Sequence, residues 1–522
     1  MDRRKFLLNS SLSLCAVGLS GSSFSRMFRT PLFTNENSMA EDRVLVMLRL
    51  GGGNDGLNTV IPLDQYANLM IQRPDIIIPE LDLLNLTGTS LGLHPKMTGM
   101  RNLFDDGEMA VVQGVAAPTG RSHFRASEVW MTGISDANHV ESETGWLGRI
   151  LDQEYPGFPS NYPNSAYEDP FAITFNTTPS ATCEGHQANF AHPVIDPNNT
   201  ANIYGGSTTG VLNSYNGSHI EYLEFLGNQT NQYNERIQES VGLGNSISQN
   251  YGTDDVSVAL QNIAKMISGG LKSMIYVVDI GGFDTHSNQI DPQDINAGVH
   301  GGLWEKISNA VSAFQEDMHA LGLNERVIGM TFSEFGRQIA QNGSNGTDHG
   351  EAACMFLFGS CIKNQVIGTN PVISDVVVNG DALPLEIDYR DIYSTLLRDW
   401  FGIPEIDIEQ NFEDYGGITY YHNLIDPCSV IGMQEQEKSQ LNVNVYPNPT
   451  TGDLFVDLYV PSGNKIFTMV DIKGKLVGQF ERNVPTTGVH KLMLPTSKLS
   501  AGAYFLRIQG EETDRKIKFV VQ

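Results

Sequence analysis

The sequence predicts an α/β fold with a mostly parallel sheet flanked by helices, followed by a small all-β sandwich. Three observations predict it. Apolar, β-favouring runs end at glycine-rich turns, helical patterns separate those runs, and the last segment, 441–522, contains short alternating strands with turn signals and no helical pattern. Strands that alternate with helices indicate a doubly wound, mostly parallel sheet.

The strand predictions are based on five apolar runs, at 43–50, 109–115, 274–280, 326–332 and 353–358. The first run ends at three glycines, Gly51–Gly53, and the third ends at Gly281 and Gly282. Two helical patterns lie between or after these runs, at 303–321 and 390–401. The first has an apolar side chain at every third or fourth position, at Ile307, Val311, Phe314, Met318 and Leu321.

Composition predicts the boundaries of the domains. In residues 1–40, Arg3 and Arg4 precede a short, serine-rich apolar segment that is too short to span a membrane. This segment resembles a twin-arginine signal peptide, with an ordinary Sec signal as the alternative. We expect the α/β domain at 41–425, with a loop-rich insertion or cap at 151–250. A linker at 426–440 then leads to the sandwich at 441–522.

The charge of the chain limits its partners. It has 33 Lys and Arg against 60 Asp and Glu, a net charge of −27. Nucleic acid is therefore excluded as a partner, because a duplex binder needs cations to displace counterions from phosphates. The acidity favours solubility and divalent cations. No later run reaches membrane-spanning length, so we expect no transmembrane anchor.

The five cysteines do not form the pattern of a disulfide scaffold. Cys354 and Cys361 lie on either side of an apolar stretch, and we expect both to be small buried residues. The chain has no Cys-x-x-Cys pair. A thiolate zinc site or a thioredoxin-like redox site is therefore not expected.

Acidic and histidine side chains follow the predicted strands. In open α/β sheets, ligands bind beyond the carboxyl ends of the strands, and several loops there carry candidate metal ligands. These are Asp55, Asp284, His286, Glu334, Asp348 and His349.

Clustered Asp and His without Cys suit a divalent metal. Zinc accepts imidazole and carboxylate, whereas manganese and magnesium take mainly oxygen. Two metals about 4 Å apart would form a clamp for hydrolysis of a phosphate or sulfate. The alternative is that each Asp caps a helix or supports a glycine turn. For Asp55 and Glu334 the structural role and the metal-ligand role are weighted equally, whereas the metal-ligand role is preferred for Asp348 and His349.

A second cluster, 119–125, follows the second strand and opens a predicted helix that runs to Trp130. Ser122 at this helix start is placed to attack an anionic ester. The helix dipole, Arg121 and Arg125 would stabilise the added negative charge. The alternative is that Ser122 is only an N-cap. His123 is either a ligand or a core histidine.

Six motifs carry a resemblance to a known family: GGGNDGLNTVIP, GRSHF, TGWLGR, GGFDTH, SEFGR and GTDHG. They resemble an exported bacterial family catalogued as domain of unknown function number fifteen-oh-one, grouped with the alkaline phosphatase and sulfatase superfamily. The resemblance spans about 40–425 and implies that superfamily's α/β fold with a metal site at the sheet edge. The matching metal positions are Asp55, Asp284, His286, Asp348 and His349, and the nucleophile would fall near Ser122.

Two departures from the superfamily leave parts of the site open. Alkaline phosphatases space their Asp and His more widely than Asp284 and His286, and they use a further C-terminal His that has no convincing counterpart here. Sulfatases need a Cys or Ser in a Cys/Ser-x-Pro-x-Arg context, which is absent. The second metal and the nucleophile therefore remain open.

The C-terminal segment resembles a type A sorting domain of the type nine secretion system of Bacteroidetes. The motifs are VYPNPTTGDLFV, DIKGKLV, LSAGAYFLRI and the basic end at 516–518. The resemblance implies the secretion machinery as a partner, transit through the periplasm, and a final location at the cell surface or outside the cell. The alternative is a generic sugar-binding sandwich.

These observations predict an exported, metal-dependent hydrolase of phosphate or sulfate esters. We expect a divalent metal, zinc in the first place, with manganese, magnesium or calcium as alternatives. The substrate would be an anionic ester or a glycan. The alternative is a non-catalytic surface protein that keeps the phosphatase-like fold and binds a glycan or a protein partner.

Overall fold

The computed structural model describes residues 39–40, 42–135, 143–200, 215–412, 420–426 and 428. It also describes the strands and some connecting residues between 444 and 521. Side chains are described in these ranges except at 215–221 and at parts of the C-terminal strands. The predicted signal peptide and most of the predicted linker lie outside the described residues. The chain divides into two compact units, Met1–Ser429 and Val430–Gln522.

A nine-stranded sheet forms the centre of the first unit within the described residues. Its strands lie in the order β11-β5-β10-β9-β1-β8-β6-β7, with β12 paired to β5. Strand pairing makes β10 antiparallel to β9 and β5, whereas the other described pairs are parallel. Three short strands, β2, β3 and β4, form a separate small sheet. The strand bounds are β1 Val44–Leu50, β2 Val60–Pro62, β3 Leu84–Asn85, β4 Leu91–Leu93, β5 Met109–Ala116, β6 Ala172–Phe175, β7 Ala191–Pro193, β8 Ile275–Ile280, β9 Val327–Ser333, β10 Ala353–Phe358, β11 Gln365–Ile367 and β12 Ile387–Asp388.

Helices cover both faces of this sheet. One apolar core includes side chains of α3, α4, α8 and α9, and the other includes side chains of α2, α5, α6 and α7. No helix among the described residues is long and apolar enough to cross a membrane. The helix bounds are α1 Tyr66–Gln72, α2 Thr98–Asp105, α3 His123–Thr132, α4 Trp146–Glu154, α5 Tyr215–Leu243, α6 Asp255–Ser268, α7 Val299–Ala320, α8 Tyr389–Thr395 with a π-helical continuation Leu396–Trp400, and α9 Glu405–Asn411.

Strand β1 shows why the sequence forms this sheet. Leu45 and Met47 pack into one core, whereas Val46 and Leu48 pack into the other. A parallel strand that is covered by helices on both faces reads as a continuous apolar run, because alternate side chains enter different cores. The five predicted strands are therefore confirmed as β1, β5, β8, β9 and β10.

The segment 151–250 is more ordered than its composition indicated. It contributes β6 and β7 to the central sheet and the 29-residue helix α5. Strands of four and three residues are too short to show an alternating pattern among Asn, Pro and Ser residues. Composition alone therefore could not separate these elements from loops.

The second unit contains two antiparallel sheets. One has the order β13-β14-β17 and the other β16-β15-β18-β19. Leu454 and Leu494 from the first sheet share a buried core with Phe467, Leu506 and Phe519 from the second. The predicted C-terminal sandwich is therefore confirmed. Its strands are β13 Asn444–Tyr446, β14 Leu454–Val460, β15 Gly463–Asp471, β16 Leu476–Val484, β17 Gly488–Leu494, β18 Gly502–Gly510 and β19 Thr513–Val521.

The cysteines differ in part from the expectation. Cys361 is buried as expected, but it forms a disulfide with Cys428 across 67 residues of sequence, with the Cα atoms 5.5 Å apart. Cys354 is half-buried and has a free thiol, as does the buried Cys183. The sequence could not reveal the pair, because two cysteines so far apart carry no spacing signature.

We predict that Cys428→Ser lowers the free energy of unfolding by about 2–4 kcal/mol, because the unfolded chain regains the conformations that a long closed loop excludes. Chemical denaturation with and without reductant measures the effect. Reductant should destabilise the wild-type protein to the level of the variant and leave the variant unchanged. Equal stability of the oxidised and reduced wild-type proteins would contradict the prediction.

Candidate metal centre

The candidate site lies where three neighbouring strands end. Strands β9, β1 and β8 are adjacent and parallel, so the loops that follow them meet at one edge of the sheet. The loop after β8 supplies Asp284 and His286, and the loop after β9 supplies His349. The start of α3 brings His123 to the same place.

Three imidazoles and one carboxylate converge there. The Oδ1 atom of Asp284 lies 3.2 Å from Nε2 of both His286 and His349, and its Oδ2 atom lies 3.5 Å from Nε2 of His123. The two Nε2 atoms of His286 and His349 are 2.9 Å apart. Ligand atoms of His123, Asp284 and His349 all lie within 4.8 Å of one another, and within the described part of the chain these three residues form a group suited to a metal ion.

The outer nitrogen of each ring faces an acceptor. Nδ1 of His286 lies 2.8 Å from the Asp348 carboxylate, and Nδ1 of His123 lies 2.6 Å from the Glu334 carboxylate. Nδ1 of His349 lies 3.0 Å from the backbone carbonyl oxygen of Arg121. A carbonyl or an ionised carboxylate only accepts, so each Nδ1 carries a proton and donates it. In a neutral imidazole the other nitrogen, Nε2, then has the lone pair that a metal ion binds.

Neutral rings in this arrangement would need a cation between them. Two Nε2 lone pairs 2.9 Å apart, each 3.2 Å from a carboxylate oxygen, would repel one another. A proton or a bound metal ion would remove that repulsion, because either would accept these lone pairs. The 3.2 Å separations of Asp284 Oδ1 from these two Nε2 atoms also fit, since ligands about 2.0–2.1 Å from a tetrahedral zinc ion are roughly 3.3 Å apart. The donor set therefore suits a metal ion.

Arg337 fixes the carboxylate of the cluster. Its Nη2 donates to Asp284 Oδ1 over 2.7 Å. Partial burial raises the pKa of Asp284, but the hydrogen bond and positive charge of Arg337, with smaller contributions from His349 and His286, hold this pKa below its usual value. The side chain of Asp284 is still 46% exposed, so the centre is open to solvent on one side.

Asp55 lies apart from this cluster. Its fully buried carboxylate accepts from Nη1 of Arg73 at 2.7 and 3.0 Å and from Nε2 of Gln289 at 2.6 Å. Burial raises the pKa of Asp55, but the positive charge and hydrogen bond of Arg73 outweigh it and lower this pKa overall. The structure therefore places Asp55 in an ion pair, in contrast to the ligand position that the sequence predicted.

Two other predicted ligands support the rings. Glu334 bonds His123 and also accepts from Nη2 of Arg49 at 3.1 Å. Asp348 bonds His286 and accepts from Nδ2 of Asn342 at 3.1 Å. The hydrogen bonds from Asn342 and His286 outweigh partial burial and lower the pKa of Asp348. Both carboxylates therefore bond the Nδ1 side of a histidine, and their predicted role as direct metal ligands stays a prediction.

The anion-binding candidates lie beside the cluster. Ser122 is the N-cap residue of α3 and is exposed, and its side chain makes no capping hydrogen bond. Arg121 pairs with Glu351 over 3.0 Å, and Arg125 pairs with Glu128 over 2.9 Å. In the chain, Ser122 lies between Arg121, whose carbonyl supports His349, and the candidate ligand His123.

The sequence analysis gave His123 two alternative roles, ligand or core histidine. It did not identify Arg73, Gln289 or Arg337. The GRSHF motif signalled His123, because an imidazole next to the predicted nucleophile suits a ligand. The SEFGR motif contains Arg337, but the motif does not show which acceptors the guanidinium of Arg337 bonds. Arg73 and Gln289 have no motif that would have identified them.

Comparisons with known proteins support the two resemblances. Residues 245–417 match a family described as protein of unknown function (DUF1501). Residues 444–522 match the secretion system C-terminal sorting domain. A search of curated proteins found no match.

Solved structures show distant likeness. An alkaline phosphatase superfamily protein from Vibrio parahaemolyticus is 11% identical, with a TM-score of 0.32 and coverage of 87% of this chain and 81% of that one. The sulfatase PsFucS1 from Pseudoalteromonas sp. is 10% identical, with a TM-score of 0.32 and coverage of 86% and 83%. PorZ from Porphyromonas gingivalis is 21% identical over 16% of this chain, with a TM-score of 0.12, and this chain spans 11% of its length. At these sequence identities and TM-scores the solved structures support no role for the site, so any role must be argued from the side chains of this chain.

A buried histidine lies behind the loop that follows β1. Nε2 of His300 lies 3.2 Å from Oδ1 of Asn54, which also accepts from Nε1 of Trp304 at 3.2 Å. Burial lowers the pKa of His300 to about 4, against an ordinary value of 6.5. The folded protein therefore keeps this imidazole neutral at a pH where the unfolded chain protonates it.

We predict that His300 makes stability fall as pH drops from about 6.5 to 4. In this window the unfolded state binds more protons, so stability declines by up to about 1.4 kcal/mol per pH unit for this residue. His300→Gln keeps a donor for Asn54 and should show a shallower decline. Denaturation curves at several pH values measure the two slopes, and equal slopes would contradict the prediction.

Proposed function

We propose that this protein is an exported, metal-dependent hydrolase of phosphate or sulfate esters. The observation that carries the proposal is the convergence of three Nε2 atoms and one carboxylate at an exposed sheet edge. Zinc can expand from four to five ligands, so a site with four protein ligands can still take up water or substrate. The exposure of the Asp284 side chain is consistent with room for such a fifth ligand.

Zinc is the metal that these donors favour. Imidazole nitrogen and carboxylate oxygen suit zinc, whereas magnesium and calcium prefer oxygen ligands alone. The candidate ligands are His123, Asp284, His286 and His349. The Nδ1 atom of each ring bonds a supporting acceptor, namely Glu334, Asp348 or the Arg121 carbonyl. Such partners fix the orientation of the ring and raise the basicity of the ligand nitrogen.

One metal ion per chain fits the contacts better than two. A second ion would need Asp55, but both oxygens of Asp55 are bonded to Arg73 and Gln289. The side chains of Asp55 and Arg73 are 1% and 0% exposed. Arg73 thus supplies the positive charge that this carboxylate requires, which supports the proposal of a single ion.

The chain supplies the remaining parts of a hydrolytic site. A bound metal would polarise the ester and stabilise negative charge that develops on it. Ser122 offers a hydroxyl to attack the ester or to orient water. Arg121 offers a guanidinium for the anionic oxygens, and the N-terminal end of α3 adds favourable partial charge. Ser122 makes no capping hydrogen bond, so its hydroxyl remains available for this role.

The location follows from the C-terminal unit. The sorting-domain match implies export through the type nine secretion system, to the surface or the medium. We propose that the twin-arginine-like segment directs the first step into the periplasm. The disulfide Cys361–Cys428 is consistent with an oxidising compartment outside the cytoplasm.

We predict that zinc stabilises the protein and that His286→Gln removes this effect, because the variant loses one ligand and leaves the Asp284–Arg337 pair intact. Zinc affinity should fall by more than about 100-fold. Asp348→Asn should lose about 10–100-fold, the range for a supporting partner. Metal content by mass spectrometry and melting temperature with and without chelator measure these effects.

His186 provides a matched control. Its Nδ1 bonds the Asp152 carboxylate at 2.6 Å, much as His286 bonds Asp348, but it lies outside the cluster. His186→Gln should bind zinc as the wild-type protein does. A wild-type protein that is folded, free of metal and indifferent to zinc would instead favour a non-catalytic surface protein that binds a glycan or a protein partner.

We predict that Ser122→Ala abolishes most turnover while metal content stays unchanged. Its cost in stability should stay below the roughly 0.5–2 kcal/mol of a lost N-cap, because the side chain makes no capping bond. Aryl phosphates and aryl sulfates, tested with zinc, manganese, magnesium or calcium, measure turnover. Full activity in a folded variant would reject Ser122 as nucleophile and favour a water molecule.

A further inference from the structure

The arginines around the candidate centre differ in how firmly they are held. The side chains of Arg73 and Arg337 are 0% exposed and bond several fixed acceptors. Arg49 bonds Ser127, Glu334 and Asp279. Arg121 differs, because its 31% exposed side chain pairs with an even more exposed carboxylate, that of Glu351. Arg121 is thus the arginine that can most easily change partners.

Both members of this pair are tethered to the candidate centre. The backbone carbonyl of Arg121 accepts from Nδ1 of His349, so the main chain of Arg121 touches the centre. Glu351 follows His349 by two residues, and its backbone carbonyl accepts from the amide of Gly336 over 2.7 Å. Arg125 lies one turn along α3 and pairs with Glu128 on its own helix. Of the Arg121 and Arg125 pairs, Arg121–Glu351 is therefore the one at the edge of the centre.

We infer that Arg121 and Glu351 form an anion gate. Arg121 binds the tetrahedral oxyanion of the substrate, and Glu351 is an internal counterion that occupies Arg121 until the anion displaces it. The inference builds on the proposed function, because the anion would be held by the metal and by Arg121 together.

The relative strengths of the interactions support this exchange. An ion pair as exposed as Arg121–Glu351 contributes little to stability, because water and salt screen it. Phosphate and sulfate oxygens can accept two parallel hydrogen bonds from one guanidinium, and such charge-assisted pairs are among the stronger polar contacts. The oxyanion therefore competes with Glu351 on favourable terms. Removing the charge of Glu351 should free Arg121 and strengthen anion binding.

The test measures anion affinity on the full chain loaded with zinc, by calorimetric titration with inorganic phosphate and, separately, with inorganic sulfate. Glu351→Gln should bind the preferred anion about two- to fivefold more tightly, the range expected for release of a weak surface pair. Arg121→Met should bind it about tenfold less tightly. The double variant should match Arg121→Met, because the gain depends on Arg121. The anion with the larger response identifies a phosphate or a sulfate ester.

Glu305→Gln is the matched control. Glu305 pairs with Lys96 over 3.2 Å, and the Lys96 and Glu305 side chains are 34% and 49% exposed. The pair therefore resembles Arg121–Glu351 in exposure and distance, but it has a lysine and lies elsewhere. This variant should leave anion affinity unchanged. Unchanged affinity in Glu351→Gln, or tighter binding that persists without Arg121, would overturn the gate while leaving the metal centre in place. A wild-type protein that binds no metal would overturn both proposals.

Discussion

The buried guanidinium of Arg337 is the constraint on which the candidate centre depends. It donates to the backbone carbonyls of Gly52 and Gly53 after β1, of Phe283 after β8, and of Thr347, as well as to the Asp284 carboxylate. A buried charge is costly unless its donors are satisfied. Separation of these loops would leave the guanidinium unsatisfied, so Arg337 holds together the ends of three strands that are distant in sequence.

The glycines of the first loop make this arrangement feasible. A Cβ atom on Gly52 would lie 2.3 Å from the backbone nitrogen of Asp284, and one on Gly53 would lie 2.5 Å from the ring of Phe335. Both glycines have positive φ, at 116° and 89°, which other residues rarely adopt. The loop therefore turns its carbonyls towards Arg337 only because these positions lack side chains. The motif that carried the family resemblance thus has a direct physical role.

Much of the fold could be predicted from the sequence, because strands buried on both faces appear as apolar runs. The location of the centre could also be predicted, since parallel strands bring the residues after them to one edge. The roles of individual carboxylates could not. Asp284, Asp348 and Glu334 look alike in sequence, but only the fold shows which one meets the Nε2 atoms and which ones bond Nδ1. The Arg73–Asp55 pair was hidden for the same reason, since Arg73 belongs to α1's C-terminal end and carries no motif.

The carboxylates at this edge of the sheet have different neutralising partners, which explains how so many acidic side chains can lie close together. Asp55 is neutralised by Arg73 in the interior, and Glu334 is shared between Arg49 and His123. Asp284 pairs with Arg337, but its side chain is 46% exposed. Its accessible carboxylate therefore lies beside the Nε2 atoms of the three histidines. An acidic chain with a net charge of −27 would repel anionic substrates over long distances, so recognition of an anionic ester requires a local cation, which the metal and Arg121 together would provide.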